Sequence, residues 1–207
     1  MRDYREASRF YYDLKGDSFG KDKTRDYWNF VRNYLADCFN IFFNQLPGRN
    51  ILDLGSGPGR DALFFRENGF QPICVDIATN MARATHRQGL LSCVGDAEEL
   101  PFADNSFAGV WAYTSLLHMP KNKFPDALRE IERVLDDSGV LFLGMKEGCF
   151  DGFAPVQNEC DISRYIALYT HEELLVRLQK SKFDVVHSSS VRPDKTNVYL
   201  NYVCKKR

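Results

Sequence analysis

Apolar positions along this chain alternate between two periods. Short apolar runs near residues 50–54, 72–76, 90–94 and 107–113 read as strands, and the segments at about 59–68 and 79–88 carry helical spacing. Asn68-Gly69 and Gly89 are stop signals for those helices. A further helix is predicted over about 123–135, where Phe124, Leu128, Ile131 and Leu135 share one face and Pro125 sits in the first turn. Asp136-Asp137-Ser138-Gly139 is expected to end it, ahead of a fifth strand from Val140 to Met145. Strand and helix in strict alternation predict a parallel sheet with helices on both faces.

The pattern changes towards the C-terminus. Thr170-x-x-Glu173 is a capping box opening a helix with Leu174, Leu175 and Leu178. Phe183-Asp184-Val185-Val186 starts a strand, Arg192 to Lys195 forms a turn, and Val198 to Cys204 alternates as a second strand. Two strands joined by so short a turn pair antiparallel.

Residues 1–47 have a different texture, dense in aromatics. Between Thr24 and Leu46, Tyr27, Val31, Tyr34, Cys38 and Ile41 form a helical stripe that Pro47-Gly48 stops, predicting a helix packed on the sheet. Tyr4 to Phe19 is too irregular for a core helix. The expected organisation is a helical cap over 1–47 and a core domain over 48–207. Within that core, 147–169 reads as a long loop at the ligand end of the sheet, carrying Phe150, Phe153, Arg164, Tyr165 and Tyr169. It is the expected acceptor-binding insert, where Arg164 pairs either with an acidic acceptor or with a structural carboxylate.

Composition narrows the class. A chain of 207 residues with 44% hydrophobic content fits one globular domain with an appended cap. A formal net charge of −1 gives no global attraction to nucleic acid, and Lys205-Lys206-Arg207 is only a short basic stretch. No uniformly apolar stretch suits a membrane span, and Met1 to Tyr4 lacks the layout of a signal peptide. Six cysteines without Cys-x-x-Cys spacing read as reduced thiols, so a cytoplasmic location is expected. Four histidines lack metal-ligand spacing, and no metal is expected.

The most informative chemistry lies at residues 51–62. Ile51-Leu52-Asp53-Leu54 leads into Gly55-Ser56-Gly57-Pro58-Gly59, and a helical pattern follows at Ala62. Glycines let backbone approach a ligand closely, and a helix start offers free N–H groups. A dinucleotide fingerprint requires Gly or Ala where Arg60 stands, and a phosphate P-loop requires a Gly-Lys pair that is absent. What remains is Asp-x-Gly-x-Gly-x-Gly: Asp53, Gly55, Gly57 and Gly59. Asp76 closes the next strand, where a carboxylate can accept from two ribose hydroxyls, or alternatively cap a helix. Gly95-Asp96-Ala97-Glu98-Glu99-Leu100-Pro101-Phe102 follows the third strand.

Together these three segments resemble the class I S-adenosylmethionine-dependent methyltransferases, over about residues 48–204. The resemblance implies a Rossmann-like, doubly wound α/β fold, with a seven-stranded, mostly parallel sheet whose last strand is antiparallel. It implies S-adenosylmethionine as cofactor and S-adenosylhomocysteine as product. It assigns Asp53, Gly55, Ser56, Gly57 and Gly59 to the cofactor loop, Asp76 and Ile77 to the ribose, and Asp96 and Ala97 to adenine. It adds Met81 and Thr114 as cofactor residues and an aromatic hydroxyl, Tyr11 or Tyr12, reaching the methionine carboxylate. His118, within a Leu-Leu-His segment, is either a general base or a structural orienter.

Methyl transfer needs alignment and exclusion of water more than acid–base chemistry. Strand four ends Tyr-Thr-Ser, without the Asn/Asp-Pro-Pro-Tyr/Phe motif of adenine and glutamine N-methyltransferases, and no Pro-Cys nucleophile is present. The expected acceptor is therefore a small molecule rather than DNA. A tRNA-base methyltransferase and a catalytically inactive methyltransferase-like activator subunit remain as alternatives.

Overall fold

A computed structural model describes residues 3–16, Phe19, 31–156 and 159–207, side chains of 159–161 excepted. Tyr27 of the predicted stripe and the Cys160 side chain lie outside the described residues. The strands of the main sheet are β1 (Asn50–Leu54), β2 (Gln71–Asp76), β3 (Leu91–Val94), β4 (Phe107–Tyr113), β5 (Leu135–Lys146), β8 (Phe183–Val191) and β9 (Tyr199–Lys206). A separate hairpin comprises β6 (Asp151–Val156) and β7 (Glu159–Ala167). The described helices are α1 (Tyr4–Lys15), α2 (Ala36–Gln45), α3 (Arg60–Glu67), α4 (Thr79–Arg87), α5 (Phe124–Val134) and α6 (His171–Lys180).

The seven strands lie in the order β3-β2-β1-β4-β5-β9-β8. Neighbours from β3 to β5 pair parallel, with Leu52 opposite both Ile73 and Val110. Strand β9 runs antiparallel to β5 and β8, so the last strand in sequence is the antiparallel one. It lies one place in from the edge, and β8 forms the rim.

Both faces are covered, as the near-continuous apolar runs of β4 and β5 require. On one face Leu141, Leu143 and Tyr202 pack with α5 and α6 residues such as Phe124, Ile131, Leu174 and Leu178. On the other, Phe39 and Phe42 of α2 meet Phe65 of α3, with Trp111 and Phe142 between them. Trp111 is fully buried, its indole stacked 3.6 Å from the Phe142 ring and 4.4 Å from that of Phe39. The buried stripe of the second helix is Val31, Leu35, Cys38, Phe39 and Phe42, with a one-residue break in the helix at Leu35.

Three sequence expectations change. Tyr4–Lys15 is a regular helix, capped by Asp3, whose side chain accepts from Arg5 N–H (3.2 Å). Its inward stripe of Tyr4, Ser8 and Tyr12 follows i, i+4 spacing but mixes hydroxyl with ring, so it lacks the look of a core face. Residues 147–169 are largely a hairpin, with Phe153 opposite Tyr165 and Ala154 opposite Arg164. Strand β5 begins at Leu135, which pairs with Phe107, while Val140 pairs with Gly109; Asp136 to Gly139 bulge out between them. The Thr170 cap is as expected, with Glu173 N–H donating to Oγ1 at 3.1 Å. Among the described residues, no helix is long and apolar enough to cross a membrane.

Trp111→Ala is expected to lower unfolding stability by about 3–5 kcal/mol, because an indole held between two rings leaves a cavity that cannot collapse. A urea titration followed by circular dichroism checks this; a loss below about 1 kcal/mol would contradict the packing.

Candidate active site

The carboxyl ends of β1, β2 and β4 open onto one cavity of about 190 Å³, roofed by α1. Its floor is the turn after β1. Gly55 N–H and Ser56 N–H donate to the Val75 carbonyl at 2.8 and 3.1 Å, tying this turn to β2. Gly55 adopts φ +70°, and a Cβ there would lie 2.3 Å from the Ser115 Cβ, so only glycine fits.

Three strand-end carboxylates face the cavity in different environments. Asp53 is buried, and burial together with nearby Asp61 holds its pKa well above the ordinary carboxylate range. Its Oδ2 is buried without a hydrogen-bond partner. Asp76 accepts from Gly57 N–H (2.8 Å) on one oxygen and Ala78 N–H (2.9 Å) on the other. Burial outweighs those two bonds and pushes the Asp76 carboxyl up to about 6. Each oxygen keeps a lone pair, so the cap on the β2–α4 turn and an outward ligand contact are compatible. Asp96 accepts from Glu98 N–H (2.9 Å) and from Arg5 Nε (2.5 Å).

Helix α1 is fastened over this floor along its length. Arg5 bridges Asp96 and, at 2.6 Å, Glu98. Arg9 Nε donates to the Ile77 carbonyl at 3.3 Å. At the far end the Asp13 carboxylate accepts from Asn80 N–H (2.7 Å), and the Asn80 amide donates to the Asp13 carbonyl. Next to Asp13, Tyr12 reaches the short 3₁₀ helix Leu116–His118 that follows β4.

The hydrogen-bond polarity around His118 follows from its partners. Nδ1 lies 3.1 Å from the Tyr165 carbonyl, which only accepts, so Nδ1 carries the proton. Nε2 is then a lone pair, and the Tyr12 hydroxyl, 2.7 Å away, donates to it. Arg164 donates to the Tyr12 oxygen at 3.2 Å. Burial, then the charge of Arg164, lower the imidazole to about 3, and burial raises the Tyr12 phenol to about 12. At neutral pH the ring is uncharged and the phenol protonated.

Of the residues singled out by sequence, Tyr12, Asp53, Gly55, Ser56, Gly57, Asp76, Ile77, Asp96, Ala97, Thr114 and His118 line the cavity. Tyr11, Gly59 and Met81 do not. Tyr11 is buried under the Arg164 guanidinium, 5.0 Å from its ring centre. Met81 is fully buried in α4. Gly59 caps α3 at φ +86°, where a Cβ would lie 2.9 Å from Leu90, so its glycine serves the turn.

Sequence reasoning missed Tyr4, Arg5 and Ser8 on α1, and Arg60, Asp61 and Ser115 beneath the turn. The i, i+4 spacing of Tyr4, Ser8 and Tyr12 was the available signal. The hydroxyls of Tyr4, Ser8 and Ser115 are buried without partners, like Asp53 Oδ2. These four atoms belong to residues that line the cavity, whereas others without a partner, such as those of His187 and Asn201, belong to residues that do not. Thr114 is held at φ +55°, strained for a β-branched residue, where β4 turns towards His118.

Comparison with known proteins agrees with this geometry. Residues 52–143 match a methyltransferase domain family. Methyltransferase GfsG of Streptomyces halstedii is 30% identical over 157 residues, covering 70% of this chain and 56% of that protein. O-methyltransferase resE of Aspergillus sclerotiorum is 30% identical over 173 residues, covering 76% of this chain and 61% of that protein. The chain thus spans under two thirds of the length of these relatives. Among solved structures, the 1,6-didemethyltoxoflavin-N1-methyltransferase of Burkholderia thailandensis, with 1,6-didemethyltoxoflavin and S-adenosylhomocysteine bound, superimposes with a TM-score of 0.71 at 21% identity. That match covers 98% of this chain and 88% of that one. The glycine turn, the strand-end carboxylates and the matched sequence together make this chain a member of the class I S-adenosylmethionine-dependent methyltransferase family.

Proposed function

We propose that this protein transfers the methyl group of S-adenosylmethionine to a small-molecule acceptor held beneath α1. The observation that carries this reading is one cavity lined by the glycine turn Gly55–Gly57 together with Asp53, Asp76 and Asp96. The residues fit the cofactor. Asp53 Oδ2, buried and unpartnered, suits an α-ammonium group. The free lone pairs of Asp76 suit ribose hydroxyls, and Asp96 with the backbone of Ala97 suits an adenine edge. Bound S-adenosylmethionine supplies an already activated methyl on a sulfonium.

The protein's own task is then alignment and exclusion of water. Helix α1 covers part of the cavity, and a covered cavity suits a small acceptor better than a nucleic acid. His118 acts as a positioning residue: with Nδ1 donating to Tyr165 and Nε2 accepting from Tyr12, it aims the Tyr12 oxygen. That oxygen has donated its own proton, so a further group approaching it must be a donor, such as an acceptor O–H or N–H. A direct base role would require His118 to release Tyr12 and to take up a proton despite a ring held near pKa 3.

Isothermal titration with S-adenosylmethionine, S-adenosylhomocysteine and NAD is the first test. Binding of the two sulfur compounds alone is expected, and Asp76→Ala should weaken it at least tenfold, about 1.4 kcal/mol. Unchanged affinity in that variant would remove the ribose assignment.

Asp76 also sets a pH dependence. Its folded pKa of about 6 lies above the ordinary 3.8, so its contribution to stability is present at low pH and lost as pH rises through about 6. Ribose hydroxyls favour the ionised form, so S-adenosylhomocysteine should bind more tightly as pH rises from about 4 to about 6 and release a proton on binding at about pH 5. Titrations in two buffers of different ionisation enthalpy read this directly, and Asp76→Ala should abolish the release.

With any acceptor found by methyl-label transfer, His118→Ala should lower turnover more than cofactor affinity. His118→Gln should restore most of it, because a carboxamide can accept from Tyr12 and donate to Tyr165. Failure of Gln to rescue, with a pH profile that loses one limb, would identify His118 as a base instead.

A further inference from the structure

Arg164 is a cation beside the cavity with no carboxylate partner among the described residues. The other arginines there are paired: Arg5 with Asp96 and Glu98, and Arg60 with Asp61. Arg164, half-buried on β7, forms no ion pair among the described residues. Its contacts are a hydrogen bond to the Tyr12 oxygen and the face of the Tyr11 ring. Those two contacts fix the guanidinium in place. They leave its other N–H groups without an acceptor among the described residues, next to Tyr12 and His118 of the cavity wall. An arginine planted on an aromatic ring is pre-organised for bidentate contact with a planar anion.

The position has a cost. Arg164 withholds basicity from His118 and has no carboxylate partner among the described residues in return. The acids of the cavity, Asp53, Asp61, Asp76 and Asp96, stand at the carboxyl ends of β1 and β2, in the first turn of α3 and on the turn that follows β3; none forms a hydrogen bond or ion pair with Arg164. The hairpin therefore adds, beside the paired Arg5 and Arg60, a positive group without an ion pair among the described residues, at the end of the site marked by Tyr12 and His118.

We propose that Arg164 receives a carboxylate of the bound ligand. This rests on reading the cavity as the methyl-transfer site, and it narrows the ligand. The carboxylate belongs either to the acceptor, which is then an acidic small molecule, or to the methionine portion of the cofactor. One guanidinium beside the reacting end serves either source, and binding measurements separate them.

The full chain is titrated, as wild type, Arg164→Gln and Arg164→Lys, with S-adenosylhomocysteine and with 5′-methylthioadenosine, which lacks the amino-acid portion. Thermal melts of the S-adenosylhomocysteine-loaded proteins are then recorded with acetate, malonate and benzoate against chloride at equal ionic strength. A loss of at least tenfold in Arg164→Gln for S-adenosylhomocysteine alone assigns the carboxylate to the cofactor. Unchanged nucleoside affinity, with carboxylate stabilisation present in wild type, lost in Arg164→Gln and partly kept in Arg164→Lys, assigns it to the acceptor. Equal weakening of both nucleosides in Arg164→Gln, or no response in either arm, overturns the proposal. Wild type that binds neither nucleoside would sink the cofactor reading instead, and the carboxylate melts on unloaded protein would still decide the role of Arg164.

Discussion

Asp61 joins the core of this protein to its site. It is buried in the first turn of α3, where its Oδ2 accepts from the Trp111 indole N–H at 3.2 Å and its two oxygens hold the Arg60 guanidinium. Trp111 is the centre of the aromatic layer beneath α2, and Arg60 lies over the Tyr113 ring at the end of β4. One carboxylate thus links the stacked rings of the core, the helix that follows the glycine turn and the strand end beside it. A turn rich in glycine has little rigidity of its own. Its fixed shape derives from this buried anchor below and from the hydrogen bonds to Val75 and Asp76 alongside.

That anchor also explains Arg60, the residue that excluded a dinucleotide fingerprint. A glycine at that place would allow closer packing of helix on strand, whereas an arginine needs a carboxylate beneath it and an aromatic face beside it. Asp61 and Tyr113 supply both. Arg60 therefore supports the turn from below, while the cavity above is lined by the glycines at 55 and 57.

The parallel half of the sheet could be read from residues because each strand is a short apolar run bounded by Gly, Asn or Asp, and local signals decide such elements. The strand-end acids and the glycine turn were readable for the same reason. Helix α1 was not, since its inward residues answer a cavity instead of a core and so carry hydroxyls among the rings. The hairpin of β6 and β7 was hidden because its strands are mostly half-exposed and lack a clean apolar face. At Gly59 a ligand turn and a helix cap ask for the same residue, so spacing alone could not show the close contact with Leu90 that requires it. The partners of His118 lie 106 residues upstream and 47 downstream, distances at which spacing carries no information.

The order of the strands bears on how the chain is made. Strand β8 precedes β9 in sequence, yet β9 lies between β5 and β8. During synthesis from the N-terminus, the five strands from β3 to β5 can assemble as each emerges, while β8 has no neighbour to join. It must wait, with Phe183 and Val185 exposed, until Tyr199–Lys206 inserts and pairs on both sides at once. Until then β5 presents an open, strongly apolar edge, Val140 to Met145. The edge of β5 therefore stays open to mispairing until β9 appears and covers it.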